Sequence, residues 1–186
     1  LEDWPVGQVM ISPLHSPQAA YEQVYRQTTE NQIPICDTYP GHSWKVGAVE
    51  WKTISTGPNI FLEELAAGSE AESTVENDSS VIAIAESSGL SVLLTGDSEP
   101  AGQRHARYQG IPLEVDILKV PHHGSSRQDP KLFADSKAKL AVVSVGEDND
   151  YGHPSKKTLS LIAENQMRLK RTDQDNHVLV RAEDFP

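Results

Sequence analysis

Two apolar runs, each emptying into side chains that can hold a metal, constrain this chain more than any other feature. Leu90-Ser91-Val92-Leu93-Leu94-Thr95 ends in Gly96-Asp97, and Val115-Asp116-Ile117-Leu118-Lys119-Val120 runs into Pro121-His122-His123-Gly124-Ser125. Short aliphatic, β-branched runs bounded by glycine and proline predict buried strands. A carboxylate at one strand tip and two imidazoles at another suit a borderline divalent ion such as zinc or manganese. Adjacent histidines on an extended chain point to opposite sides, so one would ligate while the other faces substrate or a supporting carboxylate.

The rest of the chain reads as α/β. Val6 to Ile11 predicts a strand, Ser16-Pro17 a helix start, and Ala19, Ala20, Tyr21, Val24 and Tyr25 the inner face of a helix to about Asn31. Ile33 to Asp37 predicts a second strand with Cys36 as a small core residue, and Ser43–Val46 with Val49–Ile54 a hairpin turning at Gly47. Trp44 and Trp51 pack that hairpin, and Trp4 covers a sheet edge. Thr56 to Ser80 reads as a solvated loop broken by Ile60-Phe61-Leu62. A second hairpin turns at Ser87-Ser88-Gly89. Helices are predicted at Glu99–Gln109, Asp129–Phe133 and Lys156–Gln166, the last capped by Ser155 with Leu159, Ile162 and Ala163 inward. Leu140–Val145 predicts a strand, and Arg168–Thr172 with His177–Arg181 a closing strand pair.

The net charge of −11 argues against tight non-specific binding to nucleic acid. Its distribution matters more. Residues 1–98 hold 3 Lys and Arg against 14 Asp and Glu, whereas residues 99–186 hold 13 of each. The half with the candidate site is therefore neutral. The single cysteine excludes an internal disulfide and a cysteine-based zinc site. No window is long and apolar enough to span a bilayer, and no secretory leader opens the chain.

Four motifs occur in order: Leu93-Leu94-Thr95-Gly96-Asp97, Leu118 to Ser125, Asn149-Asp150-Tyr151-Gly152-His153-Pro154, and Arg171-Thr172-Asp173. Together they resemble the C-terminal metallo-β-lactamase-like domain of ComEC-type competence proteins, the membrane channels of bacterial DNA uptake. The resemblance is good from about Val81 to Val180 and loose before Asn77. It implies one domain over residues 1–186, an αββα sandwich that is N-terminally truncated, because the family's first metal motif, His-x-Asp-x-Asp-His, is absent.

The resemblance also implies roles. Asp97 and His123 would be metal ligands, with Asp97 bridging two ions. His122 and His153 would be catalytic, and Ser125 and His153 would bind substrate; exchange of His122 and His123 stays open. Asp97 could instead cap the following helix, His153 could be an ordinary loop histidine, and Asp173 could orient a ligating histidine or shape a turn. Two zinc or manganese ions would serve the complete domain, which needs about five to seven ligands. This chain supplies two or three, so by itself it is expected to bind metal weakly or not at all and to be inactive. The implied function is a phosphodiester hydrolase, a nuclease, in an extracytoplasmic soluble domain of a membrane protein. Its partners would be single-stranded DNA and the channel of the same protein, with no small-molecule cofactor. The alternatives are hydrolysis of another phosphoester on the same scaffold, or a non-catalytic module docked on the channel.

Overall fold

The computed structural model describes residues 5–15, 18–57 and 72–185. Trp4, the Ser16-Pro17 helix start and the Ile60-Phe61-Leu62 break lie outside the described residues.

The chain opens with a parallel β-α-β unit. Strand β1 (Val9–Ile11) pairs with β2 (Ile35–Asp37) in the register Val9 to Ile35, joined by helix α1 (Gln18–Glu30). The predicted inner face of α1 is not inside. Ala19, Ala20, Val24 and Tyr25 are exposed, and Thr28 is the residue the helix buries. A helix pattern shows which side is apolar, not whether anything packs against it. Cys36 is likewise only half-buried, with its sulfur 3.0 Å from Gln8 Nε2.

A seven-stranded sheet follows in sequence order. The hairpin β3 (Ser43–Val46) and β4 (Val49–Ser55) sets Trp44 opposite Trp51, their rings stacked 6.2 Å apart. Helix α2 (Glu72–Asp78) forms where a solvated loop is predicted; a polar, acidic composition conceals a helix that ends on buried Asp78. The second hairpin is β5 (Ile82–Ser87) and β6 (Leu90–Leu94). From β6 onward the pairing is parallel: β7 (Ile117–Lys119), β8 (Leu140–Val143) and β9 (Arg168–Arg171).

Helices α3 (Pro100–Arg107), α4 (Pro130–Ser136) and α5 (Lys156–Glu164) connect the parallel strands. Proline opens α3 and α4, and Asp129 and Ser155 cap α4 and α5 by accepting the amides of Lys131 and Thr158. Ala106, Leu132, Phe133, Leu161 and Ile162 from these helices pack on Ile84, Leu93, Leu118 and Ala141 of the sheet in one core. In α5 the inward residues include Thr158, Leu161 and Ile162, while Ala163 is exposed. The predicted closing strand pair does not form. Strand β9 pairs with β8 instead, and the chain turns through a short helix α6 (Thr172–Asp175), leaving 177–181 outside the sheet. The fold is thus mixed α/β, a large sheet carrying helices on the face that holds the core, with a separate two-stranded parallel sheet.

Candidate metal centre

Three adjacent parallel strands deliver the site at their C-terminal ends, where open α/β sheets commonly bind ligands. Beyond β6 come Thr95-Gly96-Asp97, beyond β7 come the two histidines, and beyond β8 come Ser144 and the loop to His153. Cross-ties fix these tips. Thr95 Oγ1 donates to the Lys119 carbonyl at 2.7 Å, Lys119 Nζ donates to the Gly96 carbonyl at 2.6 Å, and the His122 amide donates to the same carbonyl at 3.2 Å.

The histidines are not on extended backbone. They lie in a 3-10 turn (Pro121–Gly124) with φ of 46° at His122 and 52° at His123. Left-handed conformation costs a non-glycine residue about 1–2 kcal/mol, and here it turns two successive imidazoles toward one region. His123 Nε2 lies 3.5 Å from Asp97 Oδ2, while His123 Nδ1 lies 2.6 Å from the Ser144 carbonyl. That carbonyl can only accept, so Nδ1 carries the proton and Nε2 keeps its lone pair for a ligand. The remaining Asp97 oxygen is 3.5 Å from Lys119 Nζ. Burial lowers the Lys119 ammonium below the usual lysine range, against the pull of Asp97.

The His122 ring lies 5.7 Å from that of His153 and 6.1 Å from that of His123. Burial and the nearby His122 and His123 imidazoles hold the His153 pKa below the usual histidine value, with Asp97 pulling the other way. Asn149 clamps His153 from both sides, accepting its amide at 3.0 Å and donating to its carbonyl at 2.9 Å. The loop is pinned again where a Cβ on Gly124 would come 2.6 Å from Pro154 Cβ.

Other predicted residues sit elsewhere or are otherwise engaged. Ser125 is 5% exposed, and its Oγ accepts the Arg127 amide at 3.3 Å. Asp173 pairs with Arg171 rather than with a site histidine. Asp97 does not cap α3; Asp78 Oδ1 accepts the Glu99 and Gly102 amides at 3.1 and 2.7 Å. Sequence reading missed Lys119, Glu99 and Arg127. Glu99, 3% exposed, has Oε2 2.8 Å from Arg127 Nε and Oε1 3.3 Å from His122 Nδ1. Close as they are, Glu99 Oε2 and His122 Nδ1 lack aligned hydrogen bonds, as does the hydroxyl of buried Ser98. An unsatisfied buried polar atom costs about 1–3 kcal/mol.

The donors partly fit a divalent ion. Two ligands about 2.1 Å from a tetrahedral metal lie about 3.4 Å apart, close to the 3.5 Å between Asp97 and His123. Among the described residues, however, no three His, Cys, Asp or Glu side chains converge with the spacing that holds an ion.

No protein-family profile matches the chain. Over 107 residues, 57% of this chain, it is 36% identical to ComE operon protein 3 of Bacillus subtilis (strain 168), covering 14% of that protein. Over 108 residues, 56% of the chain, it is 29% identical to competence protein ComA of Neisseria gonorrhoeae, covering 16% of it. The crystal structure of a protein assigned as a metal-dependent hydrolase from Parabacteroides distasonis superposes with a TM-score of 0.49 at 11% identity, covering 91% of this chain and 78% of that one. The chain thus spans about a seventh of the length of the curated relatives, and over more than half of its own length it is similar to competence proteins of the ComEC type.

Proposed function

We propose that this chain is part of a metal-dependent phosphodiesterase, a nuclease for single-stranded DNA borne by a competence membrane protein on its extracytoplasmic side. The similarity to competence proteins supports the setting. The observation that carries the chemistry is the pairing of Asp97 Oδ2 with His123 Nε2 at 3.5 Å, with His122 and His153 beside it. Both members of that pair are partly open to solvent, at 41% and 45% side-chain exposure, so a phosphate can reach them.

In this reading Asp97 and His123 hold the metal together with ligands from outside the described residues. When bound, the divalent ion supplies an ionised water and neutralises charge on the phosphate oxygens. Ser144 holds His123 in the tautomer that leaves Nε2 free. His122 and His153 face the scissile phosphate; burial and the neighbouring imidazoles favour the neutral form of His153, which can accept a proton and become cationic beside the anionic phosphate. Buried Ser125 holds the loop through Arg127, Gln128 and Thr158. Lys119 neutralises Asp97 and orients it.

The test uses the longer protein with manganese and single-stranded DNA. Wild type cleaves, and Asp97→Ala and His123→Ala each lose about a hundredfold or more, because loss of a ligand removes several kcal/mol of charge stabilisation. Equal cleavage by all three, or none by the wild type, overturns the reading.

A further inference from the structure

We propose that Glu99 is a positioning residue that sets the tautomer of His122, an inference that rests on His122 serving the site described above. A carboxylate sealed from water needs a reason, and the usual one for a residue at a helix start is absent. Asp78 already meets the amides at the head of α3, so the Glu99 carboxylate is not needed there. Instead it lies between Asn77 Nδ2 at 3.4 Å, Arg127 Nε at 2.8 Å and His122 Nδ1 at 3.3 Å. Glu99 Oε2 and His122 Nδ1 are two of the three buried polar atoms, among the described residues, without an aligned hydrogen bond. The acceptor that faces the orphaned His122 Nδ1 is Glu99 Oε1, whereas Oε2 faces Arg127 Nε. Hydrogen bonds of catalytic groups are often long and misaligned before substrate binds, and tighten in the complex.

A small turn of the imidazole lets His122 Nδ1–H donate to Glu99 Oε1 and leaves Nε2 as the free nitrogen. His123 is held the same way, its Nδ1 on the Ser144 carbonyl. Both histidines would then present Nε2, one held by a carboxylate and the other by a main-chain oxygen. Arg127, whose side chain is 57% exposed, holds the far oxygen of Glu99 and keeps the carboxylate turned inward.

Nitrogen-resolved NMR of the histidine side chains in this chain, at a pH where imidazoles are neutral, reads the tautomer directly. Wild-type His122 should be mainly the Nδ1–H form. Glu99→Leu should shift it toward Nε2–H with the remaining spectrum folded, while Glu99→Gln, which keeps an acceptor, should restore the wild-type form. A wild-type His122 already in the Nε2–H form overturns the proposal even if Glu99→Leu fails to fold; so does an unchanged tautomer in a folded Glu99→Leu. In the longer protein, Glu99→Leu should lower kcat by about ten- to a hundredfold with KM unchanged. The NMR result stands without any cleavage activity, so failure of the hydrolase reading and failure of this one are separable.

Discussion

At the scale of single residues, the left-handed backbone at His122 and His123 brings two successive imidazoles of one loop within 6.1 Å of each other. On extended chain the two rings would face apart. A second histidine shows how differently the same side chain can be used. His105 sits on α3 with Nδ1 2.8 Å from Ser55 Oγ, tying the helix to β4, and burial pushes its pKa below the usual value near 6.5. The folded protein therefore resists a proton that the unfolded chain accepts. Stability is intact above about pH 6.5 and falls as pH drops through the lowered folded-state value. Urea midpoints at several pH values should show this loss, and His105→Gln should reduce it. An unchanged pH slope in the variant would contradict the assignment.

At the scale of elements, α3 sits against the end of α2 with no room to spare. A Cβ on Gly102 would lie 2.4 Å from the Asp78 carbonyl oxygen, a backbone atom that cannot swing away. Glycine to alanine in a helix gains up to about 1 kcal/mol, whereas forced backbone shifts cost about 1–3 kcal/mol. Gly102→Ala should therefore lower the denaturation midpoint, and a raised midpoint would show that the two helices can part. The hairpins and parallel strands were legible in the sequence because alternation and turn residues are local signals. The inward side of α1 was not, because burial depends on what packs there, and α2 was hidden by its acidic composition. The site divides the same way. Asp97, His122, His123 and His153 stand in short motifs, and the fold brings them to neighbouring tips. Glu99 and Arg127 carry no local signal, since they lie 28 positions apart and meet only when the intervening fold closes up.

At the scale of the whole molecule, parallel order is what assembles the site. Strands β6, β7 and β8 lie side by side, so their C-terminal ends form a row, and the histidine turn stands between Asp97 and the loop of His153. The other face of the same sheet leaves Trp51, Ala85, Val92, Leu94 and Val142 half-buried. No described helix is long and apolar enough to cross a membrane. The excess acidity lies in residues 1–98, and residues 99–186, which hold the candidate site, carry 13 acidic and 13 basic side chains. The proposed function rests on Asp97 and His123, 3.5 Å apart, sharing one ion. Substoichiometric manganese added to the isotope-labelled chain broadens resonances near the bound ion, even when binding is weak. The account predicts that His123 and Asp97 broaden first, His122 and His153 next, and His42 and His105 last. Broadening centred on other residues, with Asp97 and His123 the last affected, would contradict it.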